Sequence, residues 1–190
     1  MKKHFRLFMA VTVIAATFIL IPARAADMQY ELLKEIPIGG EGGWDYLSVD
    51  EAGRRLYVSH ATKVVVIDID KNAIVGEITN TPGIHGVALA PKLNRGFTSN
   101  GREGKAGIVD LKTLQTLSRV DTQQNPDGML FEPEQAEVYM FNGRSQSVTI
   151  FSAKSGEVLT NLPLEGKPEF PQADAKAGRV FDNLEDKSEV

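Results

Sequence analysis

No cysteine occurs among the 190 residues, so disulfides and thiolate-bound metals are excluded from the start. Histidine is scarce, with three copies, and one of them, His4, lies in the first 25 residues. No nucleophile elbow, zinc-protease motif or phosphate-binding glycine loop is present. The stretch Gly39-Gly40-Glu41-Gly42-Gly43 is rich in glycine, but it precedes a strand rather than a helix, so it lacks the dipole that gathers phosphate. Basic charge is also short. The first 25 residues hold four bases (Lys2, Lys3, Arg6, Arg24) and no acid, which leaves 17 Lys and Arg against 25 Asp and Glu in the other 165 residues, a net of −8. That balance disfavours nucleic acid or an anionic membrane surface as a partner, because binding either relies on basic charge. Beyond residue 25 nothing shows sustained helical periodicity. What remains is an ordinary globular mixture, 42% apolar and 24% charged.

One long apolar run exists, Leu7 to Ile21, interrupted only by Thr12 and Thr17. Basic residues precede it, Pro22 breaks it, and Ala23-Arg24-Ala25 follows, the order of a secretory signal peptide with a small-residue cleavage site. The run is short for a membrane span of about 20 apolar residues. Residues 1–25 are therefore read as a signal peptide cleaved after Ala25. A mature chain with no membrane span is then delivered to a bacterial periplasm or beyond.

The rest is organised by a repeat. Tyr57, Phe97, Tyr139 and Phe181 stand 40, 42 and 42 residues apart, each inside a matching segment such as Leu56-Tyr57-Val58-Ser59 or Val138-Tyr139-Met140-Phe141. Twelve residues before each aromatic stands one ionisable residue: Asp45, His85, Asp127 or Glu169. A turn and then a β-branched run follow each of the first three aromatics, as in Val64-Val65-Val66-Ile67, and a fourth apolar run follows that. Each unit reads as four short strands joined by Gly, Pro, Asn and Asp turns. Four strands cannot bury both faces of their own sheet, so successive units must stack. A period near 42 with four strands per unit is the propeller solution, whereas a β-sandwich has no reason to repeat its sequence.

The expected fold is thus an all-β propeller with blades at 44–78, 84–120 and 126–163 and a partial blade at 168–190. Residues 31–38 match 157–164 position by position, so 30–38 is expected to be an orphan fourth strand that closes the ring onto the last blade and removes exposed edges.

These segments resemble the YVTN-repeat β-propeller family of secreted and periplasmic bacterial proteins. The residues that carry the resemblance are Leu56-Tyr57-Val58-Ser59 with Val64-Val65-Val66-Ile67-Asp68, Phe97-Thr98-Ser99-Asn100 with Ile108-Val109-Asp110, and Tyr139-Met140-Phe141-Asn142 with Val148-Thr149-Ile150. The resemblance implies a ring of seven blades, on the order of 300 residues at this period. By that measure the chain looks like an amino-terminal portion of such a protein. The fold is shared by binding proteins, lactonases and quinoprotein dehydrogenases, so the resemblance alone does not choose an activity.

Propeller geometry puts the start of the first strand and the loop after the second strand of every blade on one face, around the central channel. Asp45, His85, Asp127 and Glu169 should ring that mouth, a hard-donor set suited to a divalent cation such as Ca²⁺ or to a polar ligand. The blander alternative is that they cap backbone groups or face water. His60 aligns with Asn100 and Asn142, whose Asn-Gly dipeptides read as tight turns tolerant of positive φ. His60 either joins His85 in a site or is an ordinary hydrogen-bonded histidine. Arg102 and Arg144 share the rim and are either an anion clamp or solvated loop tips. Trp44, the lone tryptophan, is either a stacking surface for a ligand or packing between blades. The expectation is a binding or scaffold protein that presents this face to a small polar ligand, an envelope component or a protein. The alternative is a lactonase-like or quinoprotein-like enzyme with a metal or cofactor at the mouth.

Overall fold

The computed structural model describes residues 30–190; the segment read as a signal peptide lies outside them. Lys34–Val190 forms one compact unit, and of the unit that ends at Leu33 only four residues are described, with Tyr30, Leu32 and Leu33 exposed. Among the described residues no helix is long and apolar enough to cross a membrane.

Three four-stranded antiparallel sheets and one two-stranded sheet follow in chain order. The first contains β1 (Trp44–Asp50), β2 (Arg55–His60), β3 (Lys63–Asp68) and β4 (Ala73–Ile78). The second contains β5 (Ile84–Ala90), β6 (Arg95–Asn100), β7 (Lys105–Asp110) and β8 (Thr116–Asp121), with a 3₁₀ turn at Pro91–Leu93. The third contains β9 (Pro126–Glu132), β10 (Glu137–Asn142), β11 (Ser147–Ser152) and β12 (Val158–Pro163), and the fourth pairs β13 (Pro168–Asp174) with β14 (Arg179–Leu184). Within each sheet every strand after the first pairs with the one before it, so each sheet is a meander, the blade topology of a propeller. The all-β propeller expected from the repeat is the fold found.

Stacking explains the residue pattern of each strand. Val64, Val65 and Val66 are fully buried and Ile67 is 4% exposed, because neighbours cover both faces of β3. A strand buried on both faces reads as a continuous β-branched run rather than an alternation. β12, the outermost strand of its sheet, is exposed along its whole length and mixes Val158 and Leu159 with Thr160 and Asn161. The innermost strands β1, β5, β9 and β13 lie side by side, and the main core sits between the second and third sheets. There Phe97 is fully buried, with its ring 6.2 Å from that of Phe131 and 5.9 Å from that of Phe151. Burial of one such side chain is worth about 2–3 kcal/mol.

The closing strand expected at 30–38 is not a strand. It pairs with no strand of the four described sheets. The segment instead places Ile36 and Ile38 against Val58, Val65 and Ile67 on the open face of the first sheet, where apolar burial replaces the pairing it lacks.

Candidate site at the channel mouth

One backbone device positions the site. In each sheet the pairing of the first two strands slips once near the start of the inner strand. Trp44 lies opposite His60 and Leu47 opposite Val58; Ile84 opposite Asn100 and Val87 opposite Thr98. Pro126 lies opposite Asn142 and Met129 opposite Met140; Pro168 opposite Leu184 and Pro171 opposite Asp182. The extra residue of each β-bulge falls in Asp45-Tyr46, His85-Gly86, Asp127-Gly128 and Glu169-Phe170. A bulge leaves ladder positions unpaired and re-aims their side chains, so all four ionisable residues turn toward one end of the channel.

Three of them converge. His85 Nδ1 lies 2.9 Å from Asp45 Oδ2 and 3.4 Å from Asp127 Oδ1, so one imidazole nitrogen bridges carboxylates of the preceding and following sheets. Asp127 is 7% exposed. Burial pushes its carboxyl up to about 6, the charge of His85 draws it down, and the charges of Glu169 and Asp45 push it up again. Glu169, the fourth member of the ring, takes a different partner: the Tyr46 hydroxyl donates to its Oε1 at 3.1 Å. Burial, followed by the negative charge of Glu169 and Asp127, holds the Tyr46 hydroxyl far above its ordinary value. Beneath this mouth the inner strands of all four sheets line a cavity of about 240 Å³.

Sequence reasoning missed Tyr46, although a signal was present. The second bulge position reads Tyr46, Gly86, Gly128, Phe170 around the channel. Tyr46 lies over Gly86, where a Cβ would come within 3.1 Å of its ring, and its centroid is 5.6 Å from that of Phe170. A Cβ on Gly128 would run into the Glu169 carbonyl oxygen, so glycine there lets the third and fourth sheets approach. Two small residues therefore make the space that two aromatics fill.

The remaining candidates lie elsewhere. His60 is 1% exposed, donates from Nδ1 to the Gly43 carbonyl oxygen at 3.0 Å and stacks on Trp44 with centroids 3.9 Å apart. It belongs to that packing rather than to the group around His85. Trp44 covers His60 with one face and is 56% exposed. Asn100 and Asn142 are buried, with Asn100 donating to Glu103 Oε1 at 2.8 Å and Asn142 to Thr149 Oγ1 at 3.0 Å. The expected tight Asn-Gly turns are absent: positive φ falls at Gly104 and Gln146, later in each turn. Gly101 is needed for another reason, since a Cβ there would come within 2.6 Å of His85 Nε2. Arg102 and Arg144 are exposed, line one cleft of about 490 Å³, and make no ion pair among the described residues.

Among the described residues no three His, Asp or Glu side chains are placed to hold one ion, because His85 Nδ1 occupies the space between Asp45 and Asp127, and Glu169 is held by Tyr46. The arrangement is suited to accepting hydrogen bonds from a polar ligand and to exchanging a proton near pH 6 at Asp127.

No family model matches the chain. It is 27% identical over 96 residues to the uncharacterized protein YncE of Salmonella typhimurium, and to YncE of Salmonella typhi at the same identity and length. The match takes in 50% of this chain but 27% of those relatives, so the chain accounts for about a quarter of their length. Among solved structures, Kuenenia stuttgartiensis hydrazine synthase aligns with a TM-score of 0.68 at 14% identity, over 73% of this chain and 41% of that one. The WD40 β-propeller domain of Doa1 aligns with a TM-score of 0.65 at 11% identity, over 75% and 48%. These likenesses carry the propeller fold and leave the activity to the site.

Proposed function

We propose that this protein is a binding propeller, exported to the periplasm or beyond, which receives a small polar ligand rich in hydrogen-bond donors at the mouth of its channel. The observation that carries this reading is the convergence of Asp45, His85 and Asp127, from three successive sheets, on one nitrogen, with Glu169 and Tyr46 beside them. Carboxylates gathered around one imidazole present more acceptors than donors, and charge-assisted hydrogen bonds from an amine or guanidine are the strong way to satisfy them. A concave, partly buried site with a few convergent polar groups and a displaced carboxyl pKa is the usual form of a ligand site.

Thermal denaturation against a panel of small primary amines, guanidines and neutral polyols tests the reading, because a ligand that binds only the folded state raises Tm by mass action. At least one amine or guanidine should raise the Tm of the wild-type protein, and the Asp45→Asn, Asp127→Asn double variant should lose that shift. A panel without effect, or an equal shift in the double variant, would refute it.

A further inference from the structure

The arginines at the rim and the carboxylates at the mouth adjoin across a shared wall. The cleft of about 490 Å³ that holds Arg102 and Arg144 is also lined by Gly101 and Asn125. Both of these residues touch the mouth group. A Cβ on Gly101 would fall 2.6 Å from His85 Nε2 and 3.0 Å from Asn125 Oδ1, and Asn125 Nδ2 lies 3.5 Å from Asp127 Oδ2. Glycine at 101 therefore leaves no side chain standing between the cleft and His85. The cleft runs along the junction of the second and third sheets, each of which has a neighbour on either side.

Charge in the cleft is not balanced from within. Its two acids are engaged by other bases: Glu103 takes Arg119 Nη1 at 2.8 Å and Asp121 takes Lys105 Nζ at 2.5 Å. The two guanidiniums are exposed and make no ion pair among the described residues, yet their roots are held. The Gly101 N–H donates to the Gly83 carbonyl oxygen at 2.9 Å, and the stem of Arg102 lies on Gly83, where a Cβ would meet Arg102 Cγ at 2.6 Å. The Gly143 N–H donates to the Asn125 carbonyl oxygen at 2.9 Å, and the Gln124 N–H to Ser145 Oγ at 2.7 Å. Charged groups on anchored loops give up less freedom when they bind than groups on loose ones. Nor does the repeat demand arginine here. Strand register puts Thr62 and Asp186 at the equivalent places of the first and fourth sheets, so paired arginines are particular to the two sheets that form the cleft.

We propose, building on the reading of the mouth as a site for an amine or guanidine, that the ligand is a small zwitterion whose cationic end meets Asp45 and Asp127 and whose carboxylate is clamped by Arg102 and Arg144. Acceptors at the inner end and donors at the outer end hold such a molecule in one orientation, and guanidinium binds carboxylate through two parallel hydrogen bonds. A cation alone satisfies the mouth and leaves the cleft unanswered.

Isothermal titration calorimetry on the purified protein tests this with matched pairs: glycine, β-alanine, γ-aminobutyrate and ε-aminocaproate, each beside the alkylamine that lacks its carboxylate, and arginine beside agmatine. At least one zwitterion should bind tighter than its partner by on the order of 10-fold or more. That advantage should vanish in an Arg102→Gln, Arg144→Gln double variant. Both side chains are exposed, so the variant should keep the wild-type circular dichroism and a cooperative melt. An Arg102→Lys, Arg144→Lys variant should keep part of the advantage, and lose it with added salt, as a charge without the planar fork does. Amines that bind as tightly as their zwitterions, or an advantage that survives the loss of both arginines, would overturn the zwitterion and leave the mouth reading standing. Absence of binding by every compound of both kinds would overturn the two together.

Discussion

The second and fourth sheets are written with the same repeat and end in opposite circumstances. Phe97 is fully buried against Phe131 and Phe151, whereas Phe181, at the same place in the repeat 84 residues later, is 46% exposed. Their strands form alike and their aromatics face the same way around the ring. The difference is that the second sheet has neighbours on both faces and two outer strands of its own, while the fourth is a hairpin with one neighbour. Local sequence pattern makes the strand and chooses its facing side; the next sheet makes the burial, and burial supplies most of the free energy.

The largest effect should come from testing that contrast directly. Phe97→Ala removes a fully buried ring and should cost about 3–5 kcal/mol in urea unfolding, while Phe181→Ala should cost less than about 1 kcal/mol. Equal costs would break the comparison, since Phe181 would then be buried in solution.

A smaller effect concerns the junction of the fourth sheet with its neighbours, where two carboxyls sit above their ordinary value of 3.8. Asp127 is pushed up to about 6, mainly by burial, and so is Asp182, by burial with the charge of Glu169 adding to it. The groups that act on Asp127 are His85 and Lys167, which lower it, and Glu169 and Asp45, which raise it. Between about pH 4 and 6 the folded protein therefore keeps protons that the unfolded chain has released. Each group's contribution to stability is full below the unfolded value and falls as pH rises through the folded one. Asp127→Asn and Asp182→Asn should each flatten this fall, so that variant and wild type differ most above pH 6, with the variant favoured. Urea titrations at pH 4, 5, 6 and 7 check it; a steeper fall in either variant would contradict the assignment.

The smallest effect should not distinguish the regions at all. Asp121→Asn in the second sheet removes the partner of Lys105, 2.5 Å away, and Glu185→Gln after the fourth removes the partner of Lys167. Both pairs are largely solvated, so each change should shift stability by less than about 0.5 kcal/mol in either region. A large loss at Glu185 alone would show that the fourth sheet depends on charge where the second depends on packing.

Much of this organisation was legible in the residues. The spacing of Tyr57, Phe97, Tyr139 and Phe181 identifies the blade, and the residue twelve positions earlier identifies the ring at the mouth, because repeated sequence makes repeated geometry. Who bonds whom in that ring was not legible. Asp45, His85 and Asp127 come together because they belong to adjacent sheets, while Glu169 takes the Tyr46 hydroxyl because Gly86 and Gly128 clear the channel between them. The segment 30–38 shows the opposite failure: it carries the pattern of a fourth strand, but a strand is a relation between two segments, and its pairing partner is not among the described sheets.

The sequence alone determined an all-β chain of stacked four-stranded units, where each unit begins, and which side chains occupy equivalent places, since these follow from turn chemistry and from apolar runs of fixed period. Tertiary structure alone decided that His60 lies beneath Trp44 and not beside His85, that the four ionisable residues divide three to one, and which aromatics are left exposed on the first and fourth sheets. Those outcomes depend on distances between separate strands, 16 residues apart for Trp44 and His60 and 40 or more for the groups at the channel mouth, and a repeating pattern fixes what recurs within each unit without fixing what stands next to it.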